Sequence, residues 1–401
     1  MSGDTASKII DEIAPAFAHP FPGPTDDLLR LITHKSASLS LSRALELGGD
    51  LASRRSPGLA GVLENWLAHR NQPLWQPLLG RLREVSAAGG REACYLTLIE
   101  AGLLAHRDGV LGSWAFEIPR PTRLRLAQWI FPPATSGQVE ARPGQGICLT
   151  FRQNSSTIHR IQLVQAAGTD SWSALQRSSP CAELPYVEFS EAAMILLPGC
   201  AVAERLLPAV PEARFAAASE LPAIADRFRR AKVLIDNHSP GYTDWIGRAI
   251  TFLAPTQTPY QGSGSNPSFP GLVVMSNDPR PQALMEMMVH EASHQFFFMA
   301  TLLGRVDDGS DTQQHYSPLV GRNRPIDKVL LSFHALGNMT ILMRDCIETG
   351  IDDEGYCRQR LVLITEQLRR VEEVLQRSTA LTGLGKALWQ PLAERLAQTA
   401  Q

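Results

Sequence analysis

The chain has few cysteines, no excess of charge of one sign and no long apolar run. Its six cysteines are spread over 401 residues and none forms a C-x-x-C pair, so we expect buried, reduced thiols. Thirty-eight basic and forty acidic residues leave a net charge of -2, which gives no global field for nucleic acid or an anionic membrane. No apolar run approaches the ~18 residues of a membrane span, and the polar, acidic first residues are unlike a signal peptide. We therefore expect a cytoplasmic protein whose partners include neither nucleic acid nor membrane.

The composition, 44% apolar and 19% charged, is that of an ordinary globular protein and excludes a largely disordered chain. Apolar residues at three-to-four-residue spacing predict a helical N-terminal region over residues 1–130. A Pro- and Gly-rich connector over 131–146 then opens a mixed α+β region, residues 131–254, with short Thr- and Val-rich strands. A catalytic region is expected over 255–401, beginning with a long loop at 255–271. The predicted fold class is α+β, predominantly helical.

The segment ALMEMMVHEASHQFFFMATLL carries the most information about function, because it contains His290, Glu291 and His294 in the order H-E-x-x-H. Residues at i and i+4 share a helix face, so both imidazoles can reach one metal ion. Glu291 can hydrogen-bond a metal-bound water or touch the ion itself. The predicted helix is apolar almost all round and therefore buried. Buried polar groups need partners, and a metal ion would satisfy all three; the alternative is a hydrogen-bonded core cluster.

The third ligands of two common peptidase classes are missing. A metzincin has a glycine and a histidine where Phe297 and Ala300 stand. A thermolysin-like site needs a downstream glutamate, and the first one after the motif is Glu348, at the far end of a second predicted helix. We favour His334 as third ligand because it lies in that largely apolar second helix, where it can face the first. The other candidates are His315, Asp307, Asp308, Asp311 and Asp327.

The segment between the two predicted helices contains Tyr316, Ser317, Arg322 and Arg324. Arginine is the residue that recognises carboxylates in a bidentate way. At the entrance of a helix pair that binds a metal, Arg324 or Arg322 could therefore hold an anionic ligand. The alternative for either is a surface or capping arginine.

Three blocks of the sequence, FPGLVVMSN, LMEMMVHEASHQ and YSPLVGRNRPIDKVLLSFHALGN, resemble the α-ketoglutarate-HExxH peptide β-hydroxylases of bacterial peptide natural-product clusters. The resemblance spans about residues 262–343. His290 and His294 match the metal histidines of that family, and Ser317, Pro318, Arg324 and Pro325 match its segment between the helices. Val320, Asn323 and Leu331 depart from its pattern.

This resemblance implies a helix pair that binds Fe(II), in a fold distinct from the cupin barrel of common α-ketoglutarate oxygenases. It implies 2-oxoglutarate (α-ketoglutarate) as cosubstrate and β-hydroxylation of a residue in a ribosomally made precursor peptide. His290, His294 and His334 would hold the iron, and Arg324 or Arg322, with Tyr316 and Ser317 beside them, would hold the cosubstrate. Glu291 would orient a water or a substrate group.

Two other functions stay open at this point. The first is a zinc hydrolase that uses Glu291 as general base on a zinc-bound water. The second is a catalytically silent, peptide-binding partner in a biosynthetic complex. The oligomeric state is left open as well.

Overall fold

The computed structural model describes residues 12–21, 23–69, 75–88, 90–126, 128–143, 146–152, 158–165, 172–177, 182–189, 192–199, 201, 214–257, 262–351 and 355–399. Within these residues the fold is mixed α+β and 56% helical, with ten α-helices, four sheets and no closed barrel. The predicted class, α+β and predominantly helical, is therefore confirmed. No helix in the described ranges is long and apolar enough to cross a membrane.

The N-terminal part is a short 3-10 turn followed by four helices. Thr25 caps the longest of these helices by accepting a hydrogen bond from the Leu28 amide, and acidic residues occupy its first turn. The predicted helical character of residues 1–130 is correct only as far as Arg107, since a strand begins at Gly112. The elements are the turn Ala14–Phe17, α1 Asp26–Arg55, α2 Leu59–His69, α3 Pro77–Ala88 and α4 Arg91–Arg107.

A five-stranded antiparallel sheet follows, with the order β1-β4-β5-β6-β7. The predicted strand pair before and after residues 153–157 is confirmed as β5 and β6. The predicted connector at 131–146 is wrong, because β4 fills most of it and buries Ala134, Val139 and Ala141. The strands are β1 Gly112–Thr122, β4 Ala134–Arg142, β5 Gly146–Arg152, β6 Ile158–Gln165 and β7 Trp172–Arg177, and a small second sheet contains β2 Arg125–Leu126, β3 Trp129–Ile130 and β8 Ala182–Glu183.

The third sheet has the order β12-β13-β11-β10-β9. Its central strands β10, β11 and β13 run parallel, and the edge strands β12 and β9 are antiparallel to their neighbours. The predicted loop at 255–271 is thus partly wrong, since it contains the edge strand β12; residues 258–261 of it lie outside the described residues. The strands are β9 Tyr186–Phe189, β10 Ala192–Leu196, β11 Phe252–Pro255, β12 Ser263–Ser265 and β13 Leu272–Met275.

Six more helices and a short hairpin lie in the described residues after Gly199. The predicted helices that carry the H-E-x-x-H motif and His334 are confirmed. The helix that begins at Gly241 ends at Ala249, because Phe252 already belongs to β11. The elements are α5 Leu221–His238, α6 Gly241–Ala249, α7 Pro281–Ala300, β14 His315–Ser317, β15 Arg322–Arg324, α8 Ile326–Glu348, α9 Tyr356–Arg377 and α10 Gly383–Gln398.

The described residues bury two hydrophobic cores. One lies between helices α1–α4 and the five-stranded antiparallel sheet. The other contains the third sheet and α5–α10, and it also takes in Ala14, Phe17 and Ala18 from the start of the chain. The ring of Phe17 meets that of Phe296 on α7 at 6.2 Å between centroids. The first described residues therefore pack against the helix that carries the motif.

Candidate metal centre

Helix α7 begins at Pro281, where the missing amide hydrogen costs nothing, and it is buried along most of its length. From Ala283 to Ala300 the exceptions are Met287, His290 and His294, which are half-buried. The spacing i, i+3 and i+7 places these three side chains on one stripe of the helix. The helix is therefore open along the stripe that carries both histidines of the motif.

The two histidines stand side by side, with ring centroids 4.5 Å apart and planes at 82°. The Nδ1 atom of His290 lies 3.2 Å from the Sδ atom of Met339 on α8. Its Nε2 atom lies 3.8 Å from the Oε1 atom of Glu291. A hydrogen on Nδ1 that points to the sulfur leaves the lone pair on Nε2 for a ligand.

Glu291 is fully buried and only half of its carboxylate is satisfied. Its Oε2 atom accepts a hydrogen bond from the hydroxyl of Ser265 on β12. Its Oε1 atom has no partner among the described residues. Since an unpaired buried carboxylate oxygen is costly, this oxygen is suited to a water or a cation.

His294 also has an unsatisfied atom, because its buried Nδ1 has no partner within the described part of the chain. Burial lowers the pKa of His294 well below its ordinary value, and the neighbouring His290, His334, Arg324 and Lys328 add to this effect. The imidazole is therefore neutral at pH 7, which is the form that binds metal ions.

His334 lies fully buried on α8, with its ring 6.0 Å from that of Phe297 and 6.5 Å from that of Trp245. Its Nε2 atom donates a hydrogen bond of 2.8 Å to the carbonyl of Phe17, and its Nδ1 atom has no partner among the described residues. Burial lowers the pKa of His334 to about 4. The structure thus gives His334 one engaged nitrogen and one available nitrogen.

The segment between the helices forms the hairpin β14–β15, in which Ser317 pairs with Arg322 and His315 with Arg324. Ser317 is buried, with its hydroxyl 3.4 Å from that of Ser332 on α8. The side chain of Tyr316 is 52% exposed, and Arg322 is exposed as well. Arg324 is half-buried, and its charge is one that lowers the pKa of His294. Of the two arginines, Arg324 is the one whose charge acts on His294.

The remaining ligand candidates are engaged locally. The Nε2 atom of His315 lies 2.8 Å from the Oδ2 atom of Asp311. Asp307 and Asp308 accept hydrogen bonds from backbone amides two residues further on. Asp327 forms an ion pair with Lys328 at 3.1 Å.

No group of three or more His, Cys, Asp or Glu side chains within the described ranges is arranged to hold a metal ion. Two adjacent imidazoles on an open stripe do provide a pair of ligands. Three buried atoms have no hydrogen-bond partner among the described residues: Oε1 of Glu291 and Nδ1 of His294 and of His334. Carboxylate oxygens and imidazole nitrogens are ligand atoms that Fe(II) and Zn(II) take. The described residues therefore bring together a pair of imidazoles, His290 and His294, and do not arrange a third ligand side chain with them.

Three residues that the structure relates to this centre are not indicated by the motif or its spacing. Ser265 approaches Glu291 from an edge strand whose sequence, Ser-Gly-Ser, has no apolar alternation to signal it. Met339 is one of many apolar residues of α8. Lys328 could have been found, because it lies four residues after Arg324 in the segment RNRPIDK, which contains three basic residues.

The chain matches no protein-family model, and no curated protein matches it significantly in sequence. Its function is therefore inferred from the residues themselves and from the resemblance of its motifs.

Proposed function

We propose that this protein is an Fe(II)- and 2-oxoglutarate-dependent oxygenase that β-hydroxylates a residue of a ribosomally made precursor peptide. The observation that supports it most is the open stripe of α7, where His290 and His294 are the half-buried polar residues between Ala283 and Ala300. Arg324 of the β14–β15 hairpin and the edge strand β12 support the proposal further. The family resemblance supplies the identity of the metal and the cosubstrate.

In this proposal His290, His294 and His334 hold the iron, the last through its available Nδ1 atom. Bound iron supplies the oxidation of a C–H bond by dioxygen, coupled to decarboxylation of 2-oxoglutarate. The chain binds and orients the reactants. Arg324 pairs with the distal carboxylate of the cosubstrate, and Lys328 adds a second positive charge next to it. In this proposal the hairpin, with Tyr316 and Ser317, would form one side of the cosubstrate site.

The peptide would be held at β12, which ends the third sheet among the described residues. The amide of Ser276 donates to the carbonyl of Gly262, and hydrogen-bonded positions alternate along an antiparallel pair. Gly264, opposite Val274, is then the next bonded position, so the backbone groups of Ser263 and Ser265 point away from β13. An extended peptide can pair with such an edge, and the hydroxyl of Ser265 already contacts Glu291.

A second candidate function is a zinc hydrolase, and Glu291 is the residue that favours it. Its unpartnered Oε1 atom lies 3.8 Å from Nε2 of His290. A carboxylate in that place can act as a general base on a metal-bound water. In the oxygenase, Glu291 orients a water or a substrate group and is not needed as a base.

The two functions are distinguished by turnover of 2-oxoglutarate. The full chain would be stripped of metal, loaded with Fe(II) or Zn(II) without oxygen, and then given oxygen and 2-oxoglutarate, with and without a library of synthetic peptides. We expect succinate in the Fe(II) sample and peptide products heavier by one oxygen atom. His290→Ala serves as the control that removes one ligand but keeps the apolar helix.

Succinate formation that depends on Fe(II) and is lost in His290→Ala supports the oxygenase. Peptide cleavage in the Zn(II) sample, without any effect of 2-oxoglutarate, would establish the hydrolase instead. Peptide binding without turnover in either sample would establish a silent binding partner.

A further inference from the structure

A cavity of about 410 Å³ lies between the two hydrophobic cores. Residues of α3, α4, β2, β3, β8 and β11 line it, and α7, α8 and the β14–β15 hairpin contribute none of the described residues around it. Its volume is that of a small-molecule site, and a junction between packed units is where such sites occur. The cavity is therefore separate from the candidate metal centre.

The charged residues that line this cavity are mostly arginines. Among the described lining residues they are Arg81, Arg107, Arg123 and Arg125, against one carboxylate, Glu100. Arg107 pairs with Asp108 at 3.0 Å, and Arg81 lies 3.6 Å from Glu100. Arg125 forms no hydrogen bond or ion pair with any other residue that the structure describes. The lining thus carries more positive than negative charge.

Arg125 sits against apolar surface. Its guanidinium carbon lies 4.2 Å from the centroid of the Phe252 ring, which is part of the second core. Burial, and then the charge of Arg81, lower the pKa of Arg125 to about 10, so it remains a cation at pH 7. Arg125 is half-buried, and a partly desolvated cation without a counter-charge among the described residues is unfavourable. An anion in the cavity would remove that cost.

Apart from Gln76, the other lining residues that the structure describes are apolar, and they include Leu104, Leu124, Leu126, Phe131 and Leu184. We propose that this cavity binds a small organic anion, whose carboxylate or phosphate pairs with Arg125 and whose apolar body packs against these side chains. Guanidinium groups pair with either head group. Arg123 lines the cavity and is exposed, so the cavity is open to solvent at this residue.

Calorimetric titration of the full chain with octanoate, octyl phosphate and 1-octanol tests this site. We expect at least one of the two anions to bind more tightly than 1-octanol, and the tighter anion identifies the head group. Arg125→Met should bind the tighter anion roughly 10- to 100-fold more weakly, as expected for the loss of a charge-assisted pair. Arg125→Lys should keep part of the affinity, and Arg142→Met, at an exposed arginine of β4, should keep all of it.

Thermal unfolding of the same variants separates a ligand site from a structural arginine. Without ligand, Arg125→Met should melt at the same temperature as the wild type or higher, because an apolar side chain replaces a desolvated charge. The bound anion should raise the melting temperature of the wild type and not that of Arg125→Met. A strong destabilisation of Arg125→Met without ligand would overturn the proposal, and so would equal binding of 1-octanol or unchanged anion affinity in Arg125→Met.

Discussion

The imidazole of His290 meets the thioether of Met339, with 3.2 Å between Nδ1 and Sδ. This contact joins α7 to α8 directly at the candidate metal centre. It also orients the ring, since Nδ1 faces the sulfur and Nε2 faces Glu291. Groups that hold the second nitrogen of a ligand histidine fix its tautomer and tune its affinity for the metal.

Met339→Leu keeps the apolar volume and removes the sulfur. Because a thioether is a weak acceptor, we expect metal affinity to fall by roughly tenfold, the low end for such supporting groups. Stability should change by less than about 1.5 kcal/mol. Metal affinity measured by competition with a chelator would show this. Met343→Leu, at a buried methionine further along α8, is the matched control, and equal affinities of the two variants would contradict the prediction.

The role of His334 can be tested by a substitution that separates its two nitrogens. The amide nitrogen of glutamine can take the place of Nε2 and donate to the carbonyl of Phe17, whereas nothing replaces Nδ1. His334→Gln should therefore lower metal affinity at least ~10-fold with little loss of stability. His334→Ala should lose both metal affinity and the anchor of the N-terminal turn. Normal metal binding by His334→Gln would show that the third ligand is another group.

Acid should destabilise the packing of the N-terminal turn through His19. This residue is buried, its Nδ1 accepts a hydrogen bond from the amide of Phe21, and burial followed by the charge of Arg395 lowers its pKa to about 4. The folded state then favours neutral His19. The contribution of His19 to the free energy of unfolding is fully present above its unfolded pKa of about 6.5, and it is lost as the pH falls towards 4.

His19→Asn keeps an acceptor for the Phe21 amide and removes the titrating group. Between about pH 7 and pH 4.5 the free energy of unfolding should fall in both proteins, and it should fall by roughly 2–3 kcal/mol less in His19→Asn than in the wild type. Urea unfolding at the two pH values measures the difference. An identical loss in both proteins would mean that His19 does not contribute to it.

The elements around the motif could be predicted because their patterns are strong. The run from Leu284 to Met299 is too apolar for an exposed helix, and Pro281 marks its start. Helix α8 likewise follows Pro325 and ends before Gly350, which has a φ of 84°. Within the helix, the spacing of His290 and His294 fixes their shared face without any knowledge of the tertiary structure.

The contacts around the motif could not be predicted, because they join residues distant in sequence. Ser265 reaches Glu291 from a three-residue strand that exists only because β13 provides a partner. The carbonyl of Phe17 lies 317 positions from His334. Strands β1 and β4 were overlooked because prolines and glycines obscure their alternation, although Trp114, Phe116 and Ile118 show it. The predicted boundaries of the three regions stay predictions.

Peptide binding at the edge of the third sheet can be tested at Ser263. Its amide points away from β13, so Ser263→Pro removes an outward donor while the sheet is kept. We expect the Michaelis constant for a peptide substrate to rise roughly 2- to 10-fold, the value of one or two backbone hydrogen bonds. Succinate formation without peptide should be unchanged. Gly264→Ala is the control, since a Cβ atom there meets nothing within 4 Å; an unchanged Michaelis constant in Ser263→Pro would rule out this mode of binding.

The choice between Arg324 and Arg322 decides where 2-oxoglutarate binds. Arg324 is half-buried and lies close enough to His294 to lower its pKa, and Arg322, on the same strand, is exposed. Arg324→Ala should therefore weaken 2-oxoglutarate binding by ~10- to 100-fold, as expected for the loss of a charge-assisted bond of ~1.5–3 kcal/mol. Its metal content should stay normal and the Michaelis constant for the peptide should change little. Arg322→Ala is the matched control and should behave as the wild type in anaerobic 2-oxoglutarate titrations. A defect in Arg322→Ala alone would exchange the two roles, and normal binding in both variants would place the carboxylate elsewhere, with Lys328 as the next residue to replace.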